Sequence, residues 1–141
     1  MIRISRYIYL VISWLFVVGI VAQVFLVGMI VVAVKMGWDP HIGLGHTLAA
    51  PLLLMLITMY LGRLAVSMKR LTWVLFGVYV LQADVLIFLR GQAPVLSAFH
   101  PVLALVDFAL GLTLALRALP LARQSQAPAS NPAQINTSSN N

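Results

Sequence analysis

Two histidines, His41 and His100, stand 59 residues apart, each at the start of an apolar run. Neutral imidazoles that face each other across a helical bundle can supply both axial ligands of a b-type haem, and such a site needs no cysteine. Two glutamines, Gln23 and Gln82, repeat the same 59-residue offset. An amide inside an apolar helix can hydrogen-bond a neighbouring helix, worth about 0.6 kcal/mol on average. A Gln23–Gln82 bridge between two helices is the plain expectation for this pair.

Acidic chemistry is confined to Asp39, Asp84 and Asp107, because the chain has no glutamate. Asp84 precedes Arg90 by about 9 Å of helix, Asp107 follows His100 by about 10 Å, and His46 follows His41 by about 7 Å. His46, Asp84, Asp107 and Arg90 are therefore expected in one polar layer. A charged aspartate at the centre of a membrane helix costs about 2.5–3.5 kcal/mol on insertion scales, so each carboxyl there needs a partner or a proton. A proton or cation relay is one reading of this layer, and a structural ion pair is the other. Gln82 and Asp84 lie roughly 200° apart around a helix, so only one can face a bundle centre. The other would meet a second subunit, a pocket or a crevice, which points to a homo-oligomer or a larger membrane complex.

The elements that must hold these residues follow from composition. The chain has 141 residues, 62% apolar and 9% charged, with a mean hydropathy of +1.00. Soluble domains are about half apolar and about a quarter charged, and a soluble monomer of this size could not hide so much apolar surface. The lipid bilayer is thus the solvent. The net charge of +6 comes from lysines and arginines placed between apolar runs, where they act as topology signals and not as a nucleic-acid face. The absence of cysteine excludes disulfides, iron–sulfur clusters, thiolate zinc sites and thioether haem attachment.

Four apolar runs, about 8–34, 42–61, 71–89 and 101–119, are each near the roughly 20 residues a helix needs to cross hydrocarbon. Lipid leaves backbone groups no other partner, so helices are required, and the alternation of barrel strands is missing. Residues 1–121 are expected to form an all-α bundle of four transmembrane helices. Residues 122–141, rich in Ser, Asn, Gln, Ala and Pro, are expected to form a disordered cytoplasmic tail. The first run is too long for a signal-peptide core and lacks a small-residue cleavage site, so it reads as an uncleaved anchor. Arg3, Arg6, Arg63, Lys69, Arg70, Arg117 and Arg123 fall on one side, and Lys35 and Arg90 on the other. That bias places both termini in the cytoplasm of an inner (plasma) membrane. Pro101 suits the first turn of the fourth helix, and Pro120 is expected to end it.

The two halves align without gaps. Ser13-Trp14 meets Thr72-Trp73, Gln23 meets Gln82, His41 meets His100, and Ala50 meets Ala109. Two repeated helical hairpins, related by a parallel pseudo-two-fold axis along the membrane normal, account for this. His41 and His100 should then share one depth near the outer face, with Gln23 and Gln82 roughly 15 Å deeper and out of reach of the rings. Gly19, Gly28, Gly37, Gly43, Gly45 and Gly111 offer small-residue packing faces. The pattern resembles a family of small uncharacterised bacterial membrane proteins with a repeated Gln…His-x-x-x-Gly motif. Here the motif reads Gln23…His41-Ile-Gly-Leu-Gly45 and Gln82…His100, with Ala104 in place of the second glycine. The resemblance covers about residues 10–118 and implies a fold and a membrane location, with no activity attached. The layout is also distantly similar to the haem-binding bundles of cytochrome b and haem A synthase.

No phosphate-binding loop, zincin or Ser-His-Asp signature is present, and a small multidrug exporter would need a membrane-embedded glutamate. The leading expectation is a non-enzymatic membrane protein, either accessory subunit or binding scaffold. The alternatives are a haem b electron-transfer bundle ligated by His41 and His100, and a proton- or cation-coupled carrier using His46, Asp84 and Asp107.

Overall fold

A computed structural model describes residues 1–33 and 36–124 of the chain. Lys35 and residues 125–141, and with them the expected tail, lie outside the described residues. The described chain is helical throughout its ordered elements and has no strand. Four helical spans are long and apolar enough to cross a membrane: Ile2–Ala33, Asp39–Leu61, Val66–Gly91 and Pro94–Arg123. The protein is a multi-pass, four-span membrane protein.

The spans reach past the apolar runs that mark them in the sequence. The first begins before Arg3 and Arg6, since long basic side chains can leave the hydrocarbon along a helix end. The last α-helix runs from His100 to Gln124, straight through Pro120. Pro120 therefore does not end it. A proline in a helix interior forfeits one backbone hydrogen bond, but the turn beyond it still packs, with Ala122 buried and Leu121 against the core.

Proline acts elsewhere. The second span is two helices, Asp39–Thr47 and Ala49–Leu61, which meet at Leu48. Pro51 lacks the N–H that would bond to the Thr47 carbonyl, and its ring crowds that carbonyl. The third span changes pitch as well: an α-helix, Val66–Val80, is followed by a π-helical stretch, Leu81–Val85.

The core runs along the bundle axis and contains Tyr9, Phe16, Leu52, Met55, Met59, Leu75 and Leu114, all inaccessible. Aliphatic side chains such as Leu15, Val18, Ile57 and Leu105 face outward, as lipid requires. Several of the expected small residues set helix approach. Gly111 packs on Phe16, 3.1 Å from where a Cβ would stand, and a side chain at Gly19 would collide with Leu48. Gly28 and Gly43 have open space around them and take no part in close packing.

One end of the bundle is tied by polar contacts. The turn at Gly62–Ala65 joins the second and third spans, with Arg63 in the left-handed region at φ 49°. Arg6 Nε donates to the Gly62 carbonyl at 3.0 Å, fastening the first span to this turn. Lys69 lies 5.0 Å from the Tyr60 ring centre, and Trp73 Nε1 donates to the Tyr60 hydroxyl. Such an aromatic and basic collar suits a membrane–water boundary. The histidines lie at the opposite end.

Candidate functional site

A cavity of about 1070 Å³ opens at the histidine end. It draws its wall from all four spans, including Gln23, Trp38, Tyr79, Arg90, Ala104 and Phe108. His41, His46, Gln82 and His100 also line it. The volume is at the upper end of the roughly 300–1,000 Å³ of small-molecule sites, and its lining is likewise mostly apolar with a few polar groups.

The local sequence explains how the cavity arises. The second span enters through Trp38-Asp39-Pro40, with Asp39 and Pro40 in the first helical turn, where a carboxylate suits the dipole and a missing N–H costs nothing. His41 thus projects from a helix start. His100 occupies the same kind of position, ahead of Pro101. Between Leu81 and Val85 the π-helical pitch turns Gln82 inward, where it is buried, and leaves Asp84 exposed. Single π-turns occur often at functional sites.

The two histidine rings meet. Their centroids are 6.2 Å apart and their planes stand at 74°. Trp38 lies edge-on to His41 at 5.8 Å. His100 Nδ1 is 2.9 Å from the Gln82 carbonyl oxygen. A carbonyl only accepts, so Nδ1 carries the hydrogen and the lone pair sits on Nε2. The His41 ring lies against the Gln23 main chain, with its buried Nδ1 closing no hydrogen bond.

These contacts overturn the expected depth of the glutamines. They do not lie about 15 Å below the imidazoles but abut them, Gln82 through its carbonyl and Gln23 through its main chain. Ten residues of helix do follow Gln23, as far as Ala33. The second span, however, begins at the level of Gln23 and not at the tip of the first, so the helix ends are staggered. Nor do the two amides bridge one another, since Oε1 of Gln23 and Oε1 of Gln82 are both buried without a partner. The Gln23 amide packs against Gly45, with its nitrogen 2.9 Å from where a Cβ would stand. The Gln82 side chain faces Asp107. Tyr79 donates its hydroxyl hydrogen to the Gly45 carbonyl, a contact with no signal in the sequence beyond a tyrosine in an apolar run.

The polar layer does not assemble as one cluster. Asp107 is fully buried, and neither of its carboxyl oxygens has a hydrogen-bond partner. His46 and Asp84 are exposed, as is Arg90 on the cavity rim. No three of the described histidines and carboxylates come together as a metal site.

The histidine end is also where the sequence can be compared with known proteins. Residues 23–86 match DUF6220, a family of unknown function. No curated protein and no solved structure matches the chain. The matched segment begins at Gln23 and takes in His41, Gly45, Tyr79 and Gln82, which is three walls of the cavity. His100 and Asp107 lie beyond it.

Proposed function

We propose that the protein is a binding scaffold of the bacterial inner membrane, with both termini in the cytoplasm, that holds a flat, largely apolar ligand in the cavity at its histidine end. The cavity carries this reading: an apolar chamber of about 1070 Å³ with polar atoms left unpaired in and beside its wall. Buried polar groups are almost always paired, and leaving one unpaired costs about 1–3 kcal/mol. Gln23 Oε1, His41 Nδ1, Gln82 Oε1 and both Asp107 oxygens are all without partners. A ligand that pairs with any of them, His41 by coordination or an amide by a hydrogen bond, recovers part of that cost. Seven basic residues on the terminal side against Lys35 and Arg90 on the other support the orientation. Exposed Asp84, on a helix flank otherwise facing lipid, supports a contact with a second copy or another membrane subunit.

Native mass spectrometry of the purified protein, released from detergent micelles, tests the scaffold. A small-molecule adduct is expected on the wild-type chain and should be lost in Ala104→Phe, which pushes a ring into the cavity one helical turn from His100. A wild-type chain that flies at its bare mass under conditions that retain tight ligands would end the proposal.

A carrier reading draws support from one observation, the buried and unpartnered Asp107. It lacks further buried members, since His46 and Asp84 are exposed.

A further inference from the structure

We infer that the ligand is haem b, with its iron held between His41 and His100. This rests on the reading of the cavity as a ligand site and gives that ligand a chemical class.

The spacing of the rings comes first. A first-row metal sits about 2 Å from an imidazole nitrogen, which is itself about 1 Å from its ring centre. Two imidazoles on opposite sides of one metal thus have centroids about 6 Å apart. His41 and His100 stand at 6.2 Å and both face the cavity. The spacing admits a metal between the rings; Phe16 and Tyr79 stand 6.2 Å apart by packing alone, so it is the ring nitrogens and the cavity that select one.

Protonation comes second. The hydrogen bond of His100 Nδ1 to the Gln82 carbonyl leaves the lone pair on Nε2. A backbone carbonyl on the far nitrogen is the usual device that orients a metal-ligating histidine and raises its basicity. His41 has no such bond, and its buried Nδ1 is left without a protein partner.

The ligand count then selects the metal's form. A bare transition ion needs three or four protein donors, and among the described residues no third histidine or carboxylate joins this pair. Two opposed ligands alone suit an iron whose equatorial positions are already filled by the four nitrogens of a porphyrin. The rest of the cavity fits that ring. Phe25, Val24, Leu105 and Phe108 present apolar faces. Arg90, the only lysine or arginine among the described residues of the wall, lies at the rim, where it can pair with a propionate.

Hemin titrated into the detergent-purified protein tests this, read by the Soret band and by electron paramagnetic resonance. One hemin per chain is expected, with the low-spin signal of two imidazole ligands. His41→Ala and His100→Ala should each abolish that signal, with circular dichroism confirming that the helices persist. Gly77→Ala, on an exposed helix flank outside the cavity wall, should leave the spectrum unchanged. Arg90→Gln should weaken hemin binding about tenfold with no change of spin state. A low-spin spectrum that survives the double variant His41→Ala/His100→Ala overturns the inference. So does a folded wild-type protein that takes up no hemin. If such a protein still carries an adduct of another mass, the haem assignment falls and the scaffold stands; if it carries none, both fall.

Discussion

The two ends of the bundle treat buried polar groups in opposite ways. At the terminal end each described group of this kind is answered. The Tyr9 hydroxyl meets Thr72 Oγ1 at 2.7 Å, and Thr72 donates in turn to the Met68 carbonyl. Ser13 donates to the Tyr9 carbonyl, Thr58 to that of Leu54, and Arg6 to that of Gly62. At the histidine end Gln23, His41, Gln82 and Asp107 keep buried atoms with no partner, around an open chamber. The serines and threonines close bonds along their own helices and need nothing from outside. The longer amides, imidazole and carboxyl reach off their helices and find no mate. One end is built for stability, and the other forgoes some of it in favour of a cavity.

Substitutions can break or sharpen that contrast. The largest effect is expected from Gly111→Leu, which forces a side chain against Phe16 and Val17. Overpacking of this kind costs about 1–3 kcal/mol, and unfolding in mixed micelles with dodecyl sulfate should show a loss near the top of that range. Asp107→Leu should act the other way. Removing an unpaired buried carboxyl gains about 1–2 kcal/mol, visible as a higher denaturant midpoint; a lower midpoint would mean that Asp107 has a structural partner and that the contrast between the ends is wrong. Tyr9→Phe deletes the hydroxyl that ties the first span to the third and should cost about 1 kcal/mol, leaving hemin titration untouched because the site lies at the far end. Gly77→Ala is the smallest: the position is exposed and helical, with nothing within 4 Å of an added methyl. A gain of under about 1 kcal/mol is expected, and a measurable loss would place a neighbour there.

The members of the site are legible in the sequence, but its geometry is not. His41 and His100 stand out because each is a rare residue in an apolar context at a common offset, and the fold brings their rings together. Gln23 and Gln82 stand out for the same reason, yet their depth differs from the expected one. Counting residues along a helix gives distance along that helix only, and the stagger between neighbouring helix ends is decided by packing. Pro120 looks like a stop and is not, because the packing of Leu121 and Ala122 outweighs one lost hydrogen bond. Pro51 sits inside an unbroken apolar run, with nothing around it to mark a boundary, and it breaks the second span.

The sequence by itself determined that four helices cross a membrane. Apolar runs of that length, without cysteine and with charges mostly between them, leave hydrocarbon as the solvent and the helix as the one way to satisfy the backbone. Tertiary structure alone decided which polar groups pair and which remain open. The pitch change at Leu81–Val85, the stagger of the first two spans and the approach of Leu48 to Gly19 depend on contacts between residues distant in the chain. Local spacing carries no record of such contacts.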